Sequence, residues 1–83
     1  MDLQNLCQLT KEEFDRRNLK SDVRYRALEK IVDFLSRKYG NELICFQIGK
    51  DTLKNEYEKD KGKPLNCAES SAFNELFNQF KKL

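Results

Sequence analysis

An all-α fold, a compact bundle of four or five short helices around a central helix at about residues 22–39, follows from three features of this 83-residue sequence. Segment 21–40, SDVRYRALEKIVDFLSRKYG, carries an unbroken helical apolar period, and segment 67–82 carries a second one. Capping residues and Gly or Pro stop signals mark off the stretches between and before them.

At the helical step of about 100° per residue, Val23, Tyr25, Ala27, Leu28, Ile31, Val32, Phe34, Leu35 and Tyr39 cover an arc of roughly 200°. A surface helix with one neighbour needs a stripe of only about 100°. The width predicts a central helix that meets two sides of a core, or a core and a partner. Arg24 falls inside the same arc. A buried, unpaired guanidinium is costly, so this end of the helix is expected to open onto solvent, an acidic partner group or phosphate.

Taken in order, the chain begins with Leu3, Leu6 and Leu9 at helical spacing, which predicts a partial turn or short helix. Thr10-Lys11-Glu12-Glu13 has the form of a capping box, with Leu9 and Phe14 placed as its hydrophobic staple. A helix is expected from there to about Asn18, with Leu19 as an anchor after it. Ser21 or Asp22 then caps the central helix, and Gly40-Asn41 closes it after Arg37 and Lys38, whose charge suits its C-terminal end. Residues 43–48 are almost continuously apolar, so periodicity leaves helix and strand open. A strand would lack a partner within the chain, which favours a helical or irregular apolar plug over a short strand.

Gly49 interrupts the pattern, and Asp51 or Thr52 can cap a charged helix holding Leu53 and Tyr57, expected to be loosely held and mostly solvated. Gly62 and Pro64 end it. Asn66 with Glu69 repeats the capping logic for a last helix from Cys67 to about Lys82. On that helix Ala72, Phe73, Leu76, Phe77, Phe80 and Leu83 form one face, opposite Ser70, Ser71, Asn74, Glu75, Asn78 and Gln79.

Composition narrows function mainly by exclusion. The chain has 39% hydrophobic and 36% charged residues and nine aromatics, six Phe and three Tyr, which suits a folded single domain over 1–83. There is no histidine, and the three cysteines, Cys7, Cys45 and Cys67, are scattered. Neither a disulfide framework nor a zinc site is expected from that set, and reduced thiols in a cytoplasmic compartment are. No apolar run reaches the roughly 18 residues of a membrane span. Cys67, at a predicted helix start, is the one candidate nucleophile. Thiolate catalysis usually needs a base such as histidine, so it is read as structural and the protein as a non-enzyme without cofactor or metal.

The net charge is only +2, but residues 16–38 hold eight cations against three carboxylates, net +5, leaving −3 elsewhere. Two binding surfaces follow. The first is a protein partner or homodimer interface built on the surplus apolar residues Tyr25, Val32, Tyr39 and Phe46, rimmed by Arg24 and Arg26, since interfaces favour aromatics and Arg. The alternative is a nucleic-acid surface using Arg16, Arg17, Lys20, Arg24, Arg26 and Lys30 on phosphates. Ile44-Cys45-Phe46-Gln47-Ile48-Gly49 followed by Asp51-Thr52-Leu53 has part of the spacing of a helix-turn-helix. Lys50 stands at its apolar position, however, and Glu56, Glu58 and Asp60 would meet phosphates with the wrong sign. No family is assigned on that basis. The expectation is a small binding module, acting as a dimer or as a subunit of a complex, with DNA binding as the rival reading.

Overall fold

Two apolar helical faces, on the second and the last helix, are pressed together at the centre of the molecule, and the shorter elements close around them. The computed structural model describes residues 1–19 and 21–83. It contains α1 (Leu3–Arg16), α2 (Asp22–Tyr39), a 3-10 turn (Leu43–Gln47), α3 (Lys50–Lys61) and α4 (Cys67–Lys81). No strand occurs among the described residues, and no helix among them is long and apolar enough to cross a membrane.

α1 is a single helix from Leu3, not a turn followed by a helix at Thr10. Its cap is Asp2, whose Oδ1 accepts the Asn5 N–H at 2.9 Å. Thr10 lies mid-helix, fully buried, and its hydroxyl donates to the Leu6 carbonyl at 2.9 Å. Leu3, Leu6, Cys7, Thr10 and Phe14 are buried together, and that burial carries the helix through Thr10, whose hydroxyl is satisfied one turn back. Asn18 then takes φ 58°. Its N–H donates to Asp15 (3.0 Å) and that of Leu19 to Phe14 (2.8 Å), the paired bonds of a Schellman stop with Asn in the left-handed position. Leu19 packs on the core as expected.

α2 starts and ends where the sequence places it. Ser21 Oγ accepts the Arg24 N–H at 3.1 Å, and Gly40, at φ 83°, donates its N–H to Ser36 at 2.9 Å. The N–H of Leu3 donates to the Asn41 carbonyl at 2.8 Å and Asn41 Nδ2 donates to Asp2 Oδ2 at 3.2 Å, which ties the start of α1 to the end of α2.

The 43–48 segment is a 3-10 plug. Cys45 and Phe46 point inward while Ile44 and Ile48 are exposed, so the strand alternation is absent, and so is the first helix a helix-turn-helix requires. Phe46 packs edge-on to Phe77 (4.8 Å between centroids) and stacks on Phe80 (5.2 Å). α3 is preceded by Gly49 at φ 115° without a side-chain cap, in place of Asp51 or Thr52. It is better held than its composition suggests. Leu53 and Tyr57 are buried, and the Tyr57 ring meets Phe34 at 5.3 Å and Phe73 at 5.8 Å. At α4 the capping box forms in full: Asn66 Oδ1 accepts the Glu69 N–H at 2.8 Å and Glu69 Oε1 accepts the Asn66 N–H at 3.0 Å.

The core joins Leu28, Ile31, Val32 and Leu35 of α2 to Leu3, Leu6 and Phe14 of α1, Leu53 of α3 and Phe73 and Leu76 of α4. The radius of gyration, 11.7 Å, equals the value of about 12 Å expected for a compact chain of this length. Leu83, expected on the α4 face, lies past the helix end and is exposed.

Candidate functional site

Four neighbours cover most of the wide arc of α2, and this redistributes the residues of the expected protein interface. Val32 is 3% exposed and Phe46 4%, so neither is available to a partner. Tyr25 and Tyr39 are half-buried and their hydroxyls donate to carboxylates of the same chain, Asp15 and Glu56 respectively. Those bonds hold both phenols in the neutral form, and each pKa is pushed up to about 12. Arg24 and Arg26 remain at the surface, the first half-buried and the second exposed.

The basic window is likewise divided. Arg16 pairs with Glu13 at 2.5 Å; Arg17 pairs with Glu13 at 3.4 Å and with Glu75. Arg37, on the same flank of α2, pairs with Asp33 at 3.0 Å. Hydrogen bonding to Arg16 draws the Glu13 carboxyl below the usual carboxylate range. Lys20 lies outside the described residues. That leaves Arg24, Arg26 and Lys30, none of which forms an ion pair with a carboxylate among the described residues. Arg24 Nη1 instead donates to the Leu19 carbonyl at 2.7 Å, an anchoring bond that leaves its remaining N–H groups available.

These three cations border one groove. Two shallow hollows lie between the first turns of α2 and the start of α4 and meet at Val23, Asn66 and Ala68. Arg24 borders one hollow, with Cys67 beside it; Arg26, Ala27 and Lys30 border the other. Val23 is 65% exposed at the shared ridge. It belongs by sequence to the apolar arc of α2, but it sits a turn beyond the reach of the core. The sequence signal for this open end was Arg24 inside the apolar arc; nothing local indicated that the α4 start would supply the facing wall.

Two other surface hollows hold cations paired within the chain. Between α2 and α3, Lys38 pairs with Glu56 at 3.5 Å; between α1 and α2, Lys11 pairs with Glu29 at 3.0 Å. At the groove itself, Glu69 lines the hollow that Arg26 and Lys30 border, and it is paired with Lys61. Burial pushes its carboxyl up, but the Lys61 ammonium, the Asn66 N–H and the Tyr57 hydroxyl together outweigh that and keep it below the usual range.

Two of the three thiols are buried and the third is exposed. Burial pushes the Cys7 and Cys45 thiols up, which keeps them protonated, and Cys67 is exposed at the first position of α4. No group of three or more Cys, Asp or Glu side chains arranged to hold a metal occurs among the described residues. No protein-family model, curated protein or solved structure matches this chain.

Proposed function

We propose that the chain is a non-enzymatic protein-binding module whose docking surface is the groove between the first turns of α2 and the start of α4. The observation that carries this reading is the coincidence, in one place, of an exposed apolar side chain, Val23, with cations that pair with no carboxylate among the described residues. Apolar contact flanked by Arg is the composition that gives binding energy at protein interfaces. The pairing of Arg16 and Arg17 with carboxylates removes two of the cations a phosphate-binding surface would use, and supports a protein partner over a nucleic acid. The role we propose for it is regulatory, as a homodimer or as one subunit of a complex.

A random-peptide display selection on the folded protein tests the proposal. Peptides are expected that bind the wild type and weaken by at least about tenfold on Val23→Glu, with the helical circular dichroism unchanged. Enriched peptides indifferent to Val23→Glu would overturn the reading. So would duplex DNA binding that falls steeply between about 50 and 200 mM salt and is lost in the same variant.

A further inference from the structure

We infer that the occupant of this groove is an acidic peptide segment in which one apolar side chain is flanked on both sides by carboxylates. The inference rests on the groove being a docking surface and adds the chemistry of the partner. Val23 and Ala68 form the ridge that both hollows share. On one side of that ridge stands Arg24, and on the other stand Arg26 and Lys30, one helical turn apart. A ligand that covers the ridge with an apolar side chain therefore meets positive charge on either side.

The carboxylates of the surrounding elements do not neutralise those positions. Glu29 is held by Lys11 on the α1 side, Asp33 by Arg37 and Glu69 by Lys61. Asp22, exposed in the first turn of α2, is the remaining acid of that end. Charge complementarity thus selects carboxylates, which Arg binds through its fork of N–H donors. A nucleic-acid backbone satisfies the cations but offers nothing apolar to Val23.

Fluorescence anisotropy with defined peptides tests this. The probe is a labelled ten-residue peptide with one Leu between two pairs of Glu; the controls replace the four Glu by Gln, or the Leu by Ser. The wild-type chain is compared with the double variant Arg26→Glu, Lys30→Glu, at positions that are exposed, and the variant's fold is checked by circular dichroism. The acidic peptide is expected to bind about tenfold or more weakly to the double variant, and the Gln control about tenfold or more weakly to the wild type. Equal binding of the Glu and Gln peptides, with loss only in the Ser control, would overturn the acidic partner while leaving the docking groove in place. No loss in the Ser control, or duplex DNA displacing the peptide from the wild type and failing to bind the double variant, would also overturn it.

Discussion

Arg17, at the C-terminal end of α1, forms an ion pair with Glu75, a carboxylate buried on α4. Glu75 is 8% exposed in its side chain and Arg17 42%, so the guanidinium reaches from the surface to a charge that has left water. Gln79 Nε2 donates to the other Glu75 oxygen at 3.1 Å. This small network fastens the end of α1 to the middle of α4 and also withdraws Arg17 from any surface role.

Arg17→Ala is therefore expected to destabilise the fold by about 2–3 kcal/mol, the cost of leaving a buried carboxylate short of its partner. Adding Glu75→Gln to that variant restores much of the loss, because a neutral amide needs no counter-charge. Urea melts of the two single variants and the double one give the coupling directly. A coupling near zero would show that the pair does not hold the helices together.

The cap of α1 gives a second prediction, in which two readings of one sequence oppose each other. With Asp2 as cap, Asp2→Ala costs about 1 kcal/mol, whereas Thr10→Val is milder: the Leu6 carbonyl that accepts the Thr10 hydroxyl also serves the helix ladder and is not orphaned. A capping box at Thr10 would reverse the order. Thermal melts of both variants decide between them.

The contrast between Thr10 and Asn66 shows what was legible. Both stand three residues before a Glu, and both fit the same local template, yet only Asn66 caps a helix. The difference lies in Leu3 and Leu6, whose burial against other elements extends α1 back through Thr10. Ser21, Gly40 and Gly62 did reveal their ends, because their chemistry acts within a turn of backbone. Glu75 and Gln79 looked like solvent-facing residues because the partner that draws Glu75 inward, Arg17, lies 58 positions away. The helical wheel likewise identified the apolar face of α2 correctly but could not say how far along it the neighbours reach. Coverage turned out complete at Val32 and missing at Val23, and the candidate groove lies where it runs out.

Alkaline titration checks the tyrosines. All three phenols are pushed up to about 12, Tyr25 by its bond to Asp15, Tyr39 by its bond to Glu56, and Tyr57 by burial followed by the charge of Glu69. In the unfolded chain they ionise near 10. A group whose pKa is raised on folding stabilises fully below its unfolded value, and the contribution is lost as pH rises through the folded one. Stability is therefore expected to fall between about pH 10 and 12, with tyrosinate absorbance appearing together with unfolding. Ordinary titration near pH 10 with the helices intact would contradict the three contacts.

The last prediction separates the core part of α2 from the part proposed to bind. Val32 is 3% exposed and Val23 65%, although both belong to the same apolar arc. A carboxylate at position 32, which belongs to the core cluster and lies at the floor of the hollow between α1 and α2, would lose most of its hydration, at a cost of several kcal/mol. The whole net stability of a core this small is about 3–5 kcal/mol, so Val32→Glu is expected to abolish cooperative folding. At position 23 a carboxylate stays in water and sits in the first turn of a helix, where negative charge is favourable by a few tenths of a kcal/mol. Val23→Glu should then melt at or slightly above the wild-type temperature. The two melts, read beside peptide binding, distinguish a residue whose loss removes the protein from one whose loss removes only its partner. A destabilised Val23→Glu would place Val23 in the core and leave the groove without its apolar ridge.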